Sequence, residues 1–313
     1  MHLTVIIPTW KRIKKLEACL QSLELQTERP DLTIITVREE DQETHGFLNL
    51  WRSKSNLKYK IINVSRPGVI WAENAAIKSS LEEQISHIIT FMDDDAIAFP
   101  DWIKKIKTFF ENYPEAAALG GPDIILSEPW SYHDFPVKTV GHITFYGKVI
   151  GNHHRMSSGL REVDVLKGVN MSVQRKYLHH LDPKLQGDDP SQGNGVFWEL
   201  DLCLKIKSQG GRIFFDPELL INHDSHHGHF IQEAVISSTA HNLGYVMMKY
   251  LPWHRSIIFL IYSVVIGNSH IRGLLKTFVM CLKEFSYRPC LYFGISLKGL
   301  IKGIFLYFFR LSK

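Results

Sequence analysis

The stretch that decides the fold runs from His87 to Ala96 and reads HIITFMDDDA. Its first part is an apolar run typical of a buried strand, and Asp93, Asp94 and Asp95 follow without a break. Three carboxylates at the end of a buried strand repel one another unless a cation neutralises them. Because hard divalent ions share carboxylate and phosphate ligands, the stretch predicts a Mg²⁺ or Mn²⁺ site that receives a phosphate-bearing ligand. A simple helix cap is the alternative, although a cap needs only one carboxylate.

Strands and helices alternate on the N-terminal side of this stretch. From apolar runs and helical spacing we predict strands at 3–7, 32–37 and 59–64, and helices at 12–25, 44–50 and 71–83. This alternation is typical of a parallel, doubly wound α/β sheet, in which ligands bind beyond the carboxyl ends of the strands. Pro8 and Thr9 are therefore expected at the same edge as the aspartates.

The pattern changes beyond a predicted helix at 102–112. Regular alternation is lost until a second predicted helix at 199–209 and a strand at 212–215. We expect mixed strands and loops in between, forming a second half that closes over the first.

The last 71 residues differ from the rest in charge. From Leu243 to Lys313 there are ten Lys or Arg residues and one acid, Glu284. This local charge of +9 leaves −5 for the remainder of a chain whose total is +4. We therefore predict a catalytic body at 1–242 and a basic, apolar helical tail at 243–313 that rests on an anionic surface. Nucleic acid is not expected as the partner, because phosphate binding has no need of so many Leu, Ile and Phe residues.

The tail has the pattern of amphipathic helices in a membrane interface. The apolar run 257–266 is too short to span a bilayer, and the run 291–309 is interrupted by glycines and lysines. Cations four residues apart beside apolar neighbours favour interfacial helices, with core or dimer contacts as the alternative. Four scattered cysteines and an N-terminus that reads as a strand indicate a reducing cytoplasm. We expect a cytoplasmic protein, peripheral on the inner face of the plasma membrane.

Four blocks of sequence resemble the family-2 glycosyltransferases of the GT-A fold, in the family's order. They are VIIPTWKR at 5–12, FMDDDA at 91–96, KGVNMSVQR at 167–175, and FWELDLCLK at 197–205 followed by GGRIFFDPE and His223. The resemblance implies a Rossmann-like mixed sheet flanked by helices. It also implies a metal-dependent inverting enzyme that moves a sugar from a nucleotide-diphosphate sugar to a hydroxyl of a glycan or a lipid-linked acceptor. The tail lies outside these blocks.

The same resemblance implies a role for individual residues. Glu199 would be the general base that removes the acceptor proton, with Asp201 as its nearest competitor. Asp95 and His223 would bind the metal. The implied nucleotide contacts are Pro8, Thr9, Arg12, Glu40, Arg66, Asn74, Asp93 and Asp94. The implied donor and acceptor pocket is formed by Gly168, Asn170, Met171, Trp198 and Asp201.

One position departs from the family. Where the family usually has an aspartate just after the second strand to hold the nucleobase, residues 37–41 read VREED. Glu39, Glu40 or Asp41 would have to take that role, so the nucleotide is left open.

Two other function classes remain as alternatives. A nucleotidyltransferase can share the sheet and the acids, but residues 8–12 lack the glycines of its phosphate loop. A non-catalytic protein that binds nucleotide or zinc is the second alternative, because His223, His226, His227 and His229 form a pattern that can ligate zinc.

Overall fold

The structure is a computed structural model that describes residues 1–83, 85–127, 132, 136–185, 197–224 and 232–311. Its N-terminal half alternates strands and helices as predicted. The strands are β1 (Leu3–Thr9), β2 (Leu32–Arg38), β3 (Tyr59–Val64) and β4 (Ile88–Phe91). The helices are α1 (Ile13–Glu24), α2 (Gln42–Arg52) and α3 (Val69–Glu82). Helix α2 starts earlier than predicted because the Asp41 side chain caps it by accepting a hydrogen bond from the Thr44 N–H.

The main sheet is mixed. Strands β3, β2, β1 and β4 are parallel, and the sheet continues through four later strands in the order β4-β11-β6-β12-β10. These are β6 (Ala116–Gly120), β10 (Arg161–Glu162), β11 (Met171–Gln174) and β12 (Arg212–Phe215). Strand β11 lies antiparallel between β4 and β6. The alternation in the first half predicts the parallel part, and the mixed sheet implied by the family resemblance is confirmed.

Helices cover both faces of the sheet, because alternate side chains of a strand point to opposite faces. In β1, Val5 and Ile7 pack in the layer that includes α1 and α4 (Trp102–Asn112). Ile6 packs on the other face, in the layer that includes α3 and α5 (Trp198–Ser208). All three β1 side chains are fully buried. This rigid sheet fixes the position of the aspartates that follow β4.

A second, three-stranded sheet lies beyond the end of β4. It pairs β5 (Ala96–Ala98) with β13 (Ile221–His223), and β13 with β7 (Asp123–Ile125). A two-stranded ribbon is formed by β8 (His142–Ile143) and β9 (Val149–Ile150). Since β5 starts directly after Asp95 and β13 ends at His223, the small sheet brings residues distant in sequence to the aspartates.

Four helices form the C-terminal part of the described chain. They are α6 (Gln232–Tyr250), α7 (Trp253–Val265), α8 (Leu274–Glu284) and α9 (Arg288–Leu311). The predicted division after residue 242 falls inside α6. Leu243, Tyr245 and Val246 are fully buried in the same core cluster as the sheet and α5. The first helix of the tail is therefore packed onto the body that carries the aspartates.

Helix α9 is continuous over 24 residues, although the sequence pattern indicated an interruption. Two glycines within it lie where α9 crosses α6. A Cβ atom on Gly299 would lie 2.3 Å from the Ser237 carbonyl oxygen, and one on Gly303 would lie 2.1 Å from that of His241. The glycines thus permit close helix packing and do not break the helix. Among the described residues, Arg288–Phe309 is the one segment whose length and apolar composition are sufficient to cross a membrane.

Replacing Gly303 with alanine is expected to destabilise the protein by about 1–3 kcal/mol, because the added methyl group must push the two helix backbones apart. Gly294 provides a matched control on the same helix, since nothing lies within 4 Å of a Cβ atom built there. Gly294→Ala should be neutral or stabilise by up to about 1 kcal/mol through helix propensity. Thermal unfolding in detergent measures both. Equal effects of the two substitutions would contradict the packing described for Gly303.

Candidate functional site

The three aspartates after β4 have different partners. The buried Asp94 carboxylate accepts a hydrogen bond of 2.7 Å from the Thr9 hydroxyl and pairs with Arg12 at 3.1 Å. Asp95 pairs with Arg12 at 2.8 Å and with Lys15 at 3.5 Å. Asp93 is the most exposed of the three, with 40% of its side chain accessible. Arg12 and Lys15 supply part of the positive charge that the triplet requires.

Two of the aspartates lie beside His223, as the sequence predicted for Asp95. The His223 Nε2 atom is 3.3 Å from an Asp95 oxygen and 3.7 Å from an Asp93 oxygen. One ligand atom from each of these three residues lies within 4.8 Å of the others, so the group could hold a metal ion. Two carboxylates and one imidazole fit a divalent ion that completes its coordination with water and phosphate oxygens. The sequence analysis assigned Asp93 to the nucleotide, whereas the geometry also makes it available as a metal ligand.

Asp123 completes this group and was not identified from the sequence. It is fully buried at the start of β7, and one of its oxygens lies 3.1 Å from the Nδ1 atom of His223. The Lys167 ammonium pairs with the same oxygen. A histidine that binds a metal usually donates its other ring N–H to a carboxylate, which fixes the orientation of the ring. The only signal in the sequence is an acid that follows Gly120-Gly121-Pro122, and this does not reveal its distant partner.

The carboxylates around His223 control its protonation. Burial alone would lower the pKa of His223, but the hydrogen bonds to Asp123 and Asp95 outweigh it and raise that pKa to about 9. Burial would likewise raise the pKa of Asp123, but the His223 hydrogen bond and the charge of Lys167 lower it to about 2. His223, Asp123, Asp95 and Lys167 therefore form a network of ion pairs.

Replacing Asp123 with asparagine is expected to weaken Mn²⁺ binding about ten- to a hundredfold, because the imidazole loses the carboxylate that orients it. The asparagine keeps the shape and an acceptor oxygen. Asp101→Asn is the matched control, since Asp101 is a half-exposed carboxylate that pairs with Lys105. Titration of Mn²⁺ by electron paramagnetic resonance measures both affinities. Unchanged affinity in a folded Asp123→Asn protein would show that Asp123 does not orient a ligand.

Glu199, the predicted base, is located in the first turn of α5. Its side chain is half-buried and lies against Gly168, where an added Cβ atom would be 3.2 Å from the Glu199 Cγ atom. Burial, with the nearby charge of Asp93, raises its pKa to about 7. The residue at the helix start, Phe197, has a left-handed backbone with φ of 75°. Strained backbone of this kind is found at sites where a side chain must be aimed, and a carboxyl with a pKa near neutrality is suited to accept a proton.

Asp201, the predicted competitor of Glu199, is engaged elsewhere. One of its oxygens lies 2.7 Å from the Lys249 ammonium of α6, which also pairs with Asp182 at 2.9 Å. Asp201 is 3% exposed. This buried network ties the helix that carries Glu199 to the C-terminal helices and leaves Asp201 without the accessibility that a base requires.

Glu73 is a second acid that the sequence analysis did not single out. It is located on α3, is 1% exposed, and its Oε2 atom has no hydrogen-bond partner among the described residues. Burial, together with the nearby charges of Asp93 and Glu199, raises the pKa of Glu73 well above its usual range. The site therefore contains a second buried carboxyl, whose burial and acidic neighbours favour its neutral form.

Three predicted nucleotide contacts have partners within the protein. Both polar atoms of the Asn74 side chain bond to the backbone of Leu181, at 2.7 and 3.0 Å. The Arg66 guanidinium stacks 3.9 Å from the centre of the Trp71 ring, and the exposed Glu40 pairs with Arg38. The acid after β2 that reaches the loop after β1 is Asp41, which accepts a hydrogen bond of 2.7 Å from the Lys11 N–H.

The predicted sugar pocket divides into two groups. A Cβ atom on Gly168 would lie 2.3 Å from the Trp198 ring and 3.2 Å from the Glu199 side chain, so only glycine fits against α5 at this position. Asn170 and Met171 are buried beneath it. The Asn170 amide bonds to Trp102, Pro122 and Leu219, so its polar atoms serve packing and are not free to contact a sugar. The histidines 226, 227 and 229 lie outside the described residues.

The fold and this arrangement of acids define a GT-A glycosyltransferase. Similar solved structures include the mannosyltransferase PcManGT of Pyrobaculum calidifontis in complex with GDP-Man and Mn²⁺, with a TM-score of 0.57 and 12% identity over 99% of this chain and 87% of that one. Another is residues 1–349 of TarS of S. aureus in complex with UDP-GlcNAc, with a TM-score of 0.61 and 15% identity over 97% and 82% of the two chains.

The chain belongs to glycosyl transferase family 2, whose family model matches residues 4–179. A curated relative is the glucosyl-dolichyl phosphate glucuronosyltransferase of Haloferax volcanii, 28% identical over 145 residues, which are 44% of this chain. The match spans 42% of that relative's length. Family membership favours the transferase over the two other function classes considered from the sequence.

Proposed function

We propose that this enzyme transfers a sugar from a nucleotide-diphosphate sugar to a hydroxyl of a lipid-linked acceptor, with inversion at the anomeric carbon and with Mn²⁺ as its metal. The observation that carries the proposal is the cluster of Asp93, Asp95 and His223 at the sheet edge, with Glu199 close enough for Asp93 to raise its pKa. An imidazole nitrogen among the ligands favours Mn²⁺ over Mg²⁺, which prefers oxygen ligands.

The metal and two basic side chains would receive the donor. Bound between Asp93, Asp95 and His223, the ion would stabilise the negative charge of the departing nucleoside diphosphate. Arg12 and Lys15, which pair with Asp95, lie where their cationic side chains would bind the donor phosphates. Pro8, Thr9 and Asp94 would shape the adjoining nucleotide site.

Glu199 would act on the acceptor. A sugar hydroxyl is a weak nucleophile until a base within hydrogen-bond reach removes its proton. Gly168 packs against Trp198 and the Glu199 side chain and forms the wall next to the carboxylate. Burial favours the neutral form of Glu73, and Asp201 is paired with Lys249, so Glu199 is the carboxylate left to serve as the base. One displacement by the acceptor then inverts the anomeric centre.

A membrane-bound acceptor would explain the C-terminal helices. Most of the large apolar side chains that the described residues expose lie between Trp253 and Phe309. Helix α7 alone exposes a stripe four residues apart, formed by Trp253, Ile257, Ile261 and Val265. Together with the charge of +9, this pattern fits helices that lie in an anionic membrane interface. The Haloferax relative is named for glucosyl-dolichyl phosphate, in which a sugar is linked to a lipid through a phosphate.

We favour interfacial binding of α9 over a membrane span. Gly299 and Gly303 hold α9 against the backbone of α6, and Lys249 of α6 is paired with Asp182 and Asp201 in the body of the enzyme. A spanning α9 would have to draw α6 into the bilayer or separate from it. The attraction of basic tails to the anionic cytoplasmic leaflet favours that face of the membrane.

The test is a transfer assay with labelled donors and sugar-loaded polyprenyl phosphates in vesicles. The proposal predicts Mn²⁺-dependent formation of an elongated lipid-linked sugar whose new linkage has the opposite anomeric configuration to the donor. Retention of configuration, or transfer to water-soluble glycans alone, would contradict it.

A further inference from the structure

An open cavity of about 660 Å³ lies among the C-terminal helices. It is lined by α7, by α8, by the turn between them and by Lys148, which directly precedes β9. It is separate from the aspartates, which contribute nothing to its walls. A volume of this size is typical of small-molecule sites.

The cavity has a basic lining without an acid. Lys148, Lys276 and Lys283 line it, and neither Asp nor Glu does. Lys276 donates a weak hydrogen bond of 3.4 Å to the Asn268 carbonyl. Within the described residues, the side chains of Lys148 and Lys283 make no ion pair or hydrogen bond. The three lysines give the lining a positive charge that favours an anionic group such as a phosphate.

A buried amide adds a second donor. Asn268 lines the cavity and is 8% exposed. Its Oδ1 atom accepts hydrogen bonds from the backbone N–H groups of His270 and Ile271, which fixes the side chain. Its Nδ2 atom is buried and has no partner among the described residues. A buried donor without a partner is costly, and an acceptor oxygen in the cavity would satisfy it.

The remaining lining is apolar and continues onto an exposed surface. Tyr262, Ile266, Leu275, Val279 and Met280 form the rest of the wall. Leu275 and Val279 are about half exposed, with Phe278 and Leu282 exposed beside them on α8. A ligand with a phosphate head and an apolar chain would find a match for each part.

The turn beside the cavity also contacts the catalytic helix. The His270 ring meets the Phe197 ring edge to face, with their centres 4.9 Å apart. Phe197 is the residue in the left-handed conformation that starts α5, two residues before Glu199. The cavity is thus connected through one aromatic contact to the base proposed to act on the acceptor.

We infer that this cavity binds the phosphate head of the lipid-linked acceptor, with the lipid chain along the exposed apolar face of α8. The inference rests on the proposed function for the identity of the ligand as acceptor, whereas binding of a phosphate lipid does not depend on transfer. Lys148, Lys276 and Lys283 hold the phosphate, and the turn at Asn268–His270 places the attached sugar towards Glu199.

The test compares two double variants that remove the same charge from the tail. Lys276→Ala/Lys283→Ala alters the cavity, and Lys298→Ala/Lys302→Ala removes two exposed lysines of α9 outside it. Binding is measured without donor on phosphatidylcholine vesicles that carry either a polyprenyl phosphate or phosphatidylglycerol at matched charge. Wild type and the α9 variant should prefer the polyprenyl phosphate, and the cavity variant should bind it about thirtyfold less tightly and lose the preference.

Three results would overturn the inference. The first is an equal loss of binding in both double variants on both vesicles, which would indicate bulk attraction to charge. The second is displacement of the polyprenyl phosphate vesicles by an equal concentration of inorganic phosphate, which would assign the cavity to free phosphate. The third is an unchanged acceptor KM in the cavity variant of an enzyme that transfers normally, in which case the proposed function stands and the cavity assignment fails.

Discussion

Replacing Glu199 with glutamine is expected to lower the rate of sugar transfer about a hundred- to ten-thousandfold, the usual contribution of a general base. Glutamine has the same shape and size, but it cannot take a proton from the acceptor. The dissociation constant of the donor should change little. Steady-state rates with saturating donor and acceptor, together with calorimetry of donor binding, measure the two effects.

Asp201→Asn is the control for this substitution. Because Asp201 is paired with Lys249, its loss should lower the thermal stability more than the transfer rate. If the Asp201 variant lost transfer in a folded protein while Glu199→Gln retained it, the assignment of the base would be wrong.

The pH dependence of the transfer rate is a second test of the role of Glu199. Burial raises the pKa of Glu199 to about 7, and only the ionised carboxylate can act as a base. The rate should therefore rise as the pH increases through about 7 and fall about tenfold for each unit below it. The residual activity of Glu199→Gln should lack this limb. A wild-type rate that does not change between about pH 5 and about pH 8 would exclude a base that titrates in this range.

Replacing Asp95 with asparagine is expected to weaken Mn²⁺ binding by more than about a hundredfold, since even a residue that only orients a ligand contributes about ten- to a hundredfold. The Asp95 oxygens are the nearest acceptors to the Nε2 atom of His223 and also hold Arg12. Donor binding in the presence of Mn²⁺ and the transfer rate should be lost together. Titration of Mn²⁺ without nucleotide isolates the effect on the metal.

Asp94→Asn is the matched control within the triplet. Its carboxylate faces Thr9 and Arg12 and is not part of the group with His223, so the affinity for Mn²⁺ without nucleotide should be retained. Equal losses in the two variants would mean that the triplet acts through its total charge and does not hold an ion at a defined position.

The elements predicted most accurately from the sequence are those whose side-chain pattern is local. Strands β1 to β4 and helices α1 to α3 follow from apolar runs and helical spacing, and Asp93 to Asp95 follow from their place at a strand end. The position of β11 in the sheet cannot be predicted from local sequence, because its antiparallel pairing with β4 and β6 depends on residues far apart in the chain. The family resemblance supplied that part.

Residues that act through distant partners were missed or given the wrong environment. Asp123 lies 100 residues before His223, and only the pairing of β7 with β13 brings them together. Glu73 resembles any polar residue on a helix until its burial beside Asp93 is known. Asn74 and Asn170 lie in family blocks, yet their amides bond to the backbone of their own protein. A motif gives the position of a residue but not its hydrogen-bond partners.

The packing of the C-terminal tail also could not be predicted from the sequence pattern. Its charge and apolar content indicate binding to a membrane interface. The glycines of α9 look like helix interruptions in the sequence, but in the structure they are contact points between α9 and α6. The burial of Leu243 to Val246 in the main core also could not be inferred from composition.

The most direct test of the central claim is a calorimetric titration of nucleoside diphosphates and their sugars, beginning with the uridine and guanosine series, with and without Mn²⁺. The account predicts that at least one of them binds only when the metal is present, and that Asp95→Asn abolishes this binding. The ligand should raise the free energy of unfolding by about 2.7 kcal/mol when its free concentration is about a hundred times its dissociation constant. Absence of any nucleotide binding with Mn²⁺ or Mg²⁺, or binding that is indifferent to the metal, would contradict the account.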